Sequence, residues 1–381
     1  MGYFCIFGAK NGILTPGMDK TLNNIQTYGY CLVVIEVSIM PEGAIINLAL
    51  SAGNLRKKTA QLFGEAGYEL QTLSERDYNP CVHDDSVKIK MFRSQEVPGY
   101  VAPGRHGNYD LGITGLDRLE DWTLENDCSD SSELGVMKMR DLKYGNVKTV
   151  LAVPIDLEDV NSFETLIQRF PECRIATEYP NLVKRYLRGK GHDPNMILPH
   201  KKTETGSPIT VIYSWGATEA KPPEDADAIV ENMETRHTLR DNDLKYIDVV
   251  MDYSTAMLIA NRDSLTDFEK AKKIKEIEKN LMAVVNARNL YHLWVNVPPN
   301  KINEALEILP ALDNPTVTPP YESSSSDVLA SINTFVPRDD FDEIKEQLEG
   351  IGGSGIVPGE EKRVFIKLGP RIYEQENTSK T

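Results

Sequence analysis

Between residues 215 and 239 the chain reads WGATEAKPPEDADAIVENMETRHTL. Glu219 follows a short strand-like run, Asp227 and Ala228 open a second one, Glu231 comes a few residues on, and a hydroxyl-rich turn follows at once with Thr235, Arg236, His237, Thr238 and Leu239. Fixed carboxylates accept hydrogen bonds from vicinal hydroxyls, whereas a phosphate is held by backbone N–H groups and hydroxyls at a turn or helix start. Acids that run straight into such a turn therefore suit the two unlike ends of a phosphorylated sugar such as a ribose 5-phosphate. The same string also fits an edge strand with solvated carboxylates and an N-capping Thr.

The totals narrow the classes. A chain of 381 residues exceeds one ordinary core and predicts about two to three domains. With 40% hydrophobic and 26% charged residues it reads as globular. No apolar run approaches the roughly 20 residues that cross a bilayer, and the N-terminus lacks the basic, apolar and small-residue sequence of a secretory signal, so a cytoplasmic location is expected. Five cysteines, far apart and in no CxxC pair, indicate reduced thiols rather than a disulfide frame or zinc site. A net charge of −15 argues against nucleic acid or an anionic membrane as partner. An anionic ligand must then be met by backbone amides, a few local cations and a divalent metal.

Of the elements that would hold these residues, none is clear over residues 1–39, which show no clear periodicity, and 1–43 read as an N-terminal extension. The apolar run AIINLAL at 44–50 predicts a buried parallel strand, followed by a glycine loop, Gly53 and Asn54, and a helix with Leu55, Leu62, Phe63 and Ala66. Ligands in open α/β sheets bind at such carboxyl ends. A second strand end, YDLGITGLDRL, carries Gly112, Gly115 and Asp117. From Val147 the α/β pattern repeats, with Tyr179 and Pro180 opening a helix, a polar loop at 201–208, and buried strands IDVVM and AMLIA. The predicted organisation is α/β: lobe I over 44–145 and 244–287, lobe II over 146–243, and a cleft between them. Helix 268–287 leads to a βαββαβ, ferredoxin-like domain at 288–370 that ends in strand RVFIKL, and a disordered tail follows over 371–381.

With the segments laid out, the chain resembles ATP phosphoribosyltransferase in its long, self-regulated form. The matching strings run in the family's order from LALSAGNL through YDLGITGLD, RIATEYPNLVKRYL, WGATEAKPP, ADAIVENMETRHTLRDNDLKYID and LPALDNPTVTP to IGGSGI. The resemblance implies two lobes like those of periplasmic binding proteins around a cleft, plus a regulatory ferredoxin-like domain. It implies the first step of histidine biosynthesis, in which phosphoribosyl pyrophosphate is joined to N1 of ATP with release of pyrophosphate. Mg²⁺ would enter on the substrate's pyrophosphate, with no firm protein ligand. Glu219, Asp227, Ala228, Glu231 and the turn Thr235, Arg236, His237, Thr238 and Leu239 would bind phosphoribosyl pyrophosphate. ATP would lie against Gly53, Asn54, Arg93, Gly115, Asp117, Tyr179 and Pro180. Histidine as feedback effector would meet Asn296, Leu312, Thr316, Phe335 and Gly355. A homo-oligomer, from dimer to hexamer, is implied as well. Adenine N1 brings its own lone pair, so no side chain is assigned as acid or base.

Three positions depart from the family's pattern. Glycine is usual after the Thr of the phosphate turn, where Arg236 stands, and a non-glycine residue at positive φ costs about 1–3 kcal/mol. The first loop lacks the usual basic residue, for which Arg56 or Lys57 is the expected substitute. Asn296 replaces a common acid, which weakens attraction for a histidine ammonium. Arg236 and the missing basic residue leave open a bilobal binding or histidine-sensing protein that has lost turnover.

Overall fold

The structure is a computed structural model, of which the second unit spans Gly43–Thr381. It describes residues 44–71, 77–104, 109–235, 239–310, 315–319 and 328–378. The extension expected at 1–43 lies outside the described residues, as do Arg236, His237, Thr238 and Leu312.

Three sheets organise the second unit. In the first, β1 (Ile46–Ser51), β2 (Val87–Phe92) and β3 (Leu111–Gly115) run parallel, and β12 (Ala256–Asn261) lies antiparallel between β3 and β4 (Val136–Asp141), in the order β2-β1-β3-β12-β4. The apolar run of β1 is buried because both faces of the sheet are covered. Against one face lie α1 (Asn54–Glu65) and α7 (Phe268–Asn289), which inserts Ile274, Ile277, Leu281 and Val284 at three- and four-residue steps. On the other face are α2 (Val97–Val101) and α3 (Leu116–Glu125), through Val97, Val101, Leu119 and Trp122. A short α6 (Arg262–Thr266) leads from β12 into α7.

The second sheet has the order β11-β5-β10-β6-β9-β7-β8. Its strands are β5 (Val147–Pro154), β6 (Cys173–Thr177), β7 (Asn195–Leu198), β8 (Lys201–Thr203), β9 (Ile209–Tyr213), β10 (Ala228–Met233) and β11 (Leu244–Ser254). Phe163 and Leu166 of α4 (Phe163–Arg169) and Val183 and Leu187 of α5 (Pro180–Gly189) pack on Ile175, Val211 and Val230. Two expectations change. Residues 244–254 belong to this sheet and not to lobe I, because β11 pairs antiparallel with β5. An apolar run predicts a strand without saying which long-range partner it takes. The start of the expected polar loop, Lys201–Thr203, pairs with β7 as an edge strand.

The chain crosses between the sheets twice, after β4 and between β11 and β12, and the crossings are bonded together. Leu142 N donates to Ala256 O and Ala256 N to Tyr144 O, both at 2.9 Å. The Asp141 carboxylate accepts from Tyr253 Oη at 2.6 Å and Thr255 Oγ1 at 2.7 Å.

Residues 290–359 form the third sheet: β13 (Leu290–Val297), α8 (Ile302–Ile308), β14 (Thr316–Thr318), β15 (Ala330–Pro337), α9 (Phe341–Gly350) and β16 (Ser354–Gly359), antiparallel in the order β14-β15-β13-β16. This is the expected βαββαβ order, but the last strand is Ser354–Gly359 and not RVFIKL. That later segment returns to the first lobe. Arg363 Nε donates to Glu65 O at 2.6 Å, Val364 N to Ala283 O at 2.8 Å, and Arg140 reaches the carbonyls of Gly369 and Pro370, each at 2.8 Å. Arg371 and Arg140 both bind Glu278, which is 2% exposed, at 2.7 Å. The tail expected to be disordered continues as α10 (Ile372–Thr378), with Ile372 against the first sheet's core.

Candidate active site

Both lobes turn the carboxyl ends of their parallel strands toward one space. From the first sheet come Gly53 and Asn54 after β1, Arg93 after β2, and Gly115 and Asp117 at the β3–α3 junction. The second supplies Glu178 and Tyr179 after β6, Trp215 after β9, and Asn232 and Glu234 at the end of β10. The hollow they enclose is about 510 Å³, within the roughly 300–1,000 Å³ of small-molecule sites. An adjoining hollow of about 460 Å³ shares Gln95, Arg118, Glu178 and Trp215 with it. On another side Val147 and Glu234 are shared with a recess that also holds Lys148 and Thr235.

Asn232 bolts the floor together. Its Nδ2 donates to Asp117 Oδ2 and to Tyr179 Oη, both at 2.6 Å, while its Oδ1 accepts from Thr149 Oγ1 at 2.8 Å. Asp117, 4% exposed, also accepts from Ser254 Oγ at 2.8 Å. Burial pushes the Tyr179 hydroxyl well above its ordinary pKa, and the Asp117 charge adds to the shift. Burial likewise raises Glu231, with Glu178 contributing.

The first turns of α3 clasp the second lobe. Arg118 sits 3.9 Å above the Tyr179 ring and donates to the carbonyl and carboxylate of Glu178. Glu120 pairs with Arg185 at 3.0 Å. Asp121 Oδ1 accepts the N–H groups of Asn181 and Leu182, each at 2.8 Å, and so caps α5, whose first residue, Pro180, has no N–H to offer. Burial pushes Asp121 up to about 6 against the lowering effect of those donors.

Several residues expected from the sequence converge here. Gly53, Asn54, Arg93, Gly115, Asp117 and Tyr179 line the hollow, and Pro180 lines its neighbour. Thr235 lies in the recess with Lys148. β10 runs parallel to β6 with Val230 opposite Thr177, so Glu231 falls beside Glu178. Glu219 is half-buried on the turn Thr218–Ala220 after β9.

Others are not brought together. Asp227 and Ala228 lie at the opposite end of β10, about 13 Å and about 10 Å from Glu231 at ~3.3 Å per residue. Asp227 is held there by Arg174, through its backbone N at 2.8 Å and its guanidinium at 2.9 Å, and Ala228 is fully buried. The Leu239 side chain joins a core cluster with Ile229 and Leu244. The substitute cations for the first loop also differ. Arg56 donates to Asp77 O at 2.9 Å and Lys57 is exposed, whereas Lys58 lines the hollow and pairs with Glu234 at 2.8 Å. Lys58, Arg118, Glu178, Trp215 and Asn232 were not singled out from the sequence. Asn232 alone left a signal, as an amide in a strand that begins AIV.

A family model described as ATP phosphoribosyltransferase (HisG) matches residues 93–283, and one described as the HisG C-terminal domain matches residues 287–359. The ATP phosphoribosyltransferase of Solibacter usitatus is 35% identical over 318 residues, 82% of this chain and 96% of that protein. The chain belongs to the ATP phosphoribosyltransferase family. The C-terminal domain marks the family's long form. The relative from Desulforudis audaxviator is also 35% identical, over 77% of this chain and 91% of its own. Among solved structures, the ATP phosphoribosyl transferase (HisG:HisZ) complex from Thermotoga maritima superposes with a TM-score of 0.48 at 22% identity, covering 64% of this chain and 99% of that one.

In the C-terminal domain of this family member, Leu293, Val295, Ile332 and Val336 face the helices, so the alternate residues form the opposite face. Asn296, Phe335 and Thr316 lie on it, the last two opposite His292 and Asn333 in register. His292 stands between the rings of Trp294, 3.8 Å away, and Phe335, 4.7 Å away. At Gly355, φ is +58° and a Cβ would come within 2.9 Å of Asn296 Nδ2, so its backbone closes on that amide.

Proposed function

We propose that this chain catalyses attack of adenine N1 of ATP on C1 of phosphoribosyl pyrophosphate, the first step of histidine biosynthesis. The N1–C1 bond forms from the adenine lone pair, the C1–oxygen bond breaks, and its electron pair leaves with pyrophosphate. The observation that supports this most is the interlobe hollow, where loops from both sheets meet in a chain of this family. Donor and acceptor have to be aligned more than activated, and alignment of two bound reactants is what such a cleft supplies.

In this reading Glu231 and Glu219 face the ribose, and Thr235 and Lys148 meet the 5-phosphate. ATP lies against Gly53, Asn54, Arg93, Gly115, Asp117, Tyr179 and Pro180. No side chain acts as acid or base. Mg²⁺ would be carried on the substrate's pyrophosphate, where it would neutralise the leaving group, and the oxygen donors Glu219 and Glu231 suit such a hard cation. Asn296, Thr316, Phe335 and Gly355 would receive histidine as feedback inhibitor, in a homo-oligomer of two to six chains in the cytoplasm. No helix among the described residues is long and apolar enough to cross a membrane.

The test is an ultraviolet assay of the purified chain with ATP, phosphoribosyl pyrophosphate and Mg²⁺. Product that requires both substrates is expected, with less product as histidine is added. Binding of both substrates without product would overturn catalysis and leave the sensing alternative.

A further inference from the structure

One side chain joins residues that the reaction draws from both lobes. Asn232 stands at the cleft end of β10, in the second lobe, and its Nδ2 reaches Asp117 of the first lobe and Tyr179 of its own, both at 2.6 Å. The other end of the amide is fixed as well, because Thr149 of β5, opposite Asn232 in register, donates to Oδ1 at 2.8 Å. An amide carries its N–H groups on one side only, so with Thr149 on the oxygen both must face Asp117 and Tyr179. Asn232 lines the hollow, while Asp117 and Tyr179 are buried behind it. The donors that hold Asp117 are neutral, this amide and the Ser254 hydroxyl, and the guanidinium of neighbouring Arg118 turns to Glu178 instead. The charge of Asp117 is therefore aimed rather than cancelled. A carboxylate accepts from amino and hydroxyl groups and repels phosphate, so its direction governs how a nucleotide can approach.

We propose that Asn232 is a positioning residue for the reaction: it sets the Asp117 carboxylate and the Tyr179 hydroxyl, across the gap between the lobes, in the arrangement that meets the acceptor nucleotide. The inference rests on the reading of the reaction given above, which gives those two residues to ATP. Side chains alternate along β10, so Glu231 leaves the strand on the face opposite Asn232. The two neighbours then serve different substrates. Glu231 faces the phosphoribosyl donor, and Asn232 acts on the acceptor through its partners. Loss of the amide should weaken the use of ATP and leave the donor's seat as it was.

The experiment compares Asn232→Leu, Asn232→Asp and Thr149→Val in the full chain. Asn232→Leu keeps the bulk and removes the amide. Its kcat/KM for ATP should fall about tenfold or more, the scale of one lost hydrogen bond to a charged group, while KM for phosphoribosyl pyrophosphate changes by less than about twofold. Thr149→Val only frees the amide to turn and should lower kcat/KM for ATP by a smaller factor. Asn232→Asp separates positioning from bulk. Its new carboxyl meets Asp117, with Tyr179, Arg118, Glu178 and Glu231 as the other charged or titratable groups around it, and two carboxylates so close share one proton. Protonated, the new group donates to Asp117 as the amide did, and ionised it repels it. The activity of Asn232→Asp relative to the parent should therefore rise as pH falls from about 8 to 6. A ratio that stays flat over that range overturns the inference, as does an active parent whose kcat/KM for ATP survives Asn232→Leu within about twofold. If Asn232→Leu fails to fold, the pH ratio of Asn232→Asp and the loss in Thr149→Val decide in its place. An inactive parent sinks the reaction instead, and ATP affinity of the same variants by calorimetry then decides the role of Asn232.

Discussion

Asp121 accepts two helix N–H groups while half-buried between the lobes, and the two influences pull its pKa in opposite directions. Burial prevails, so the group titrates at about 6 where an ordinary aspartate titrates at 3.8. The folded chain therefore holds a proton, between those values, that the unfolded chain has released. Its contribution to stability grows as pH falls from about 7 to 4 and is lost as pH rises through the folded value. Asp121→Asn keeps an acceptor for Asn181 and Leu182 without the charge. Denaturation midpoints across this range should show a flatter profile for it than for the parent. Asp121→Ala, with no acceptor for the helix N–H groups, should cost about 1 kcal/mol at neutral pH. None of this was legible in the string DRLED, because the helix that Asp121 caps begins 59 residues later, at Pro180. The glycine loop and Asp117, by contrast, could be read directly, since strand ends followed by glycine place backbone where ligands come.

At the scale of elements, the β3–α3 junction fixes the cleft floor. Gly115 has ordinary extended backbone, yet a Cβ there would lie 2.2 Å from Asp117 Oδ1. Gly115→Ala should leave the fold intact and drive the Asp117 carboxylate away from Asn232 and Ser254. A fall in kcat of more than tenfold with a melting temperature within a few degrees of the parent would show this, and unchanged kcat would refute it. β10 shows the limit of sequence reading at this scale. Alternation places Asp227 and Glu231 on one strand, but a strand is long enough that they serve its opposite ends. Only the pairing with β6 and the Arg174 contact reveal which end meets the cleft.

For the whole molecule, the alternation of apolar runs and glycine-rich loops was enough to predict two α/β lobes and a βαββαβ domain. Which sheet claims residues 244–254, and where the last segment goes, depends on partners remote in sequence. Arg371 and Glu278 are 93 residues apart, and their union brings the chain beyond the C-terminal domain back onto the first lobe. Arg371→Ala leaves Glu278 with Arg140 alone and should lower stability by about 1.5–3 kcal/mol, the usual worth of hydrogen bonds to a charged group. Calorimetry would detect that as a lower melting temperature, and an unaltered one would mean the contact carries no load. The two crossings tied at Asp141 have a different consequence. With both connections tied at one point, a parting of the lobes would turn about it as a jaw swings on a pin. Catch and release of ligand then come down to how readily the teeth beyond it let go: Arg118 and Asp121, Asn232 on Asp117, and Lys58 on Glu234.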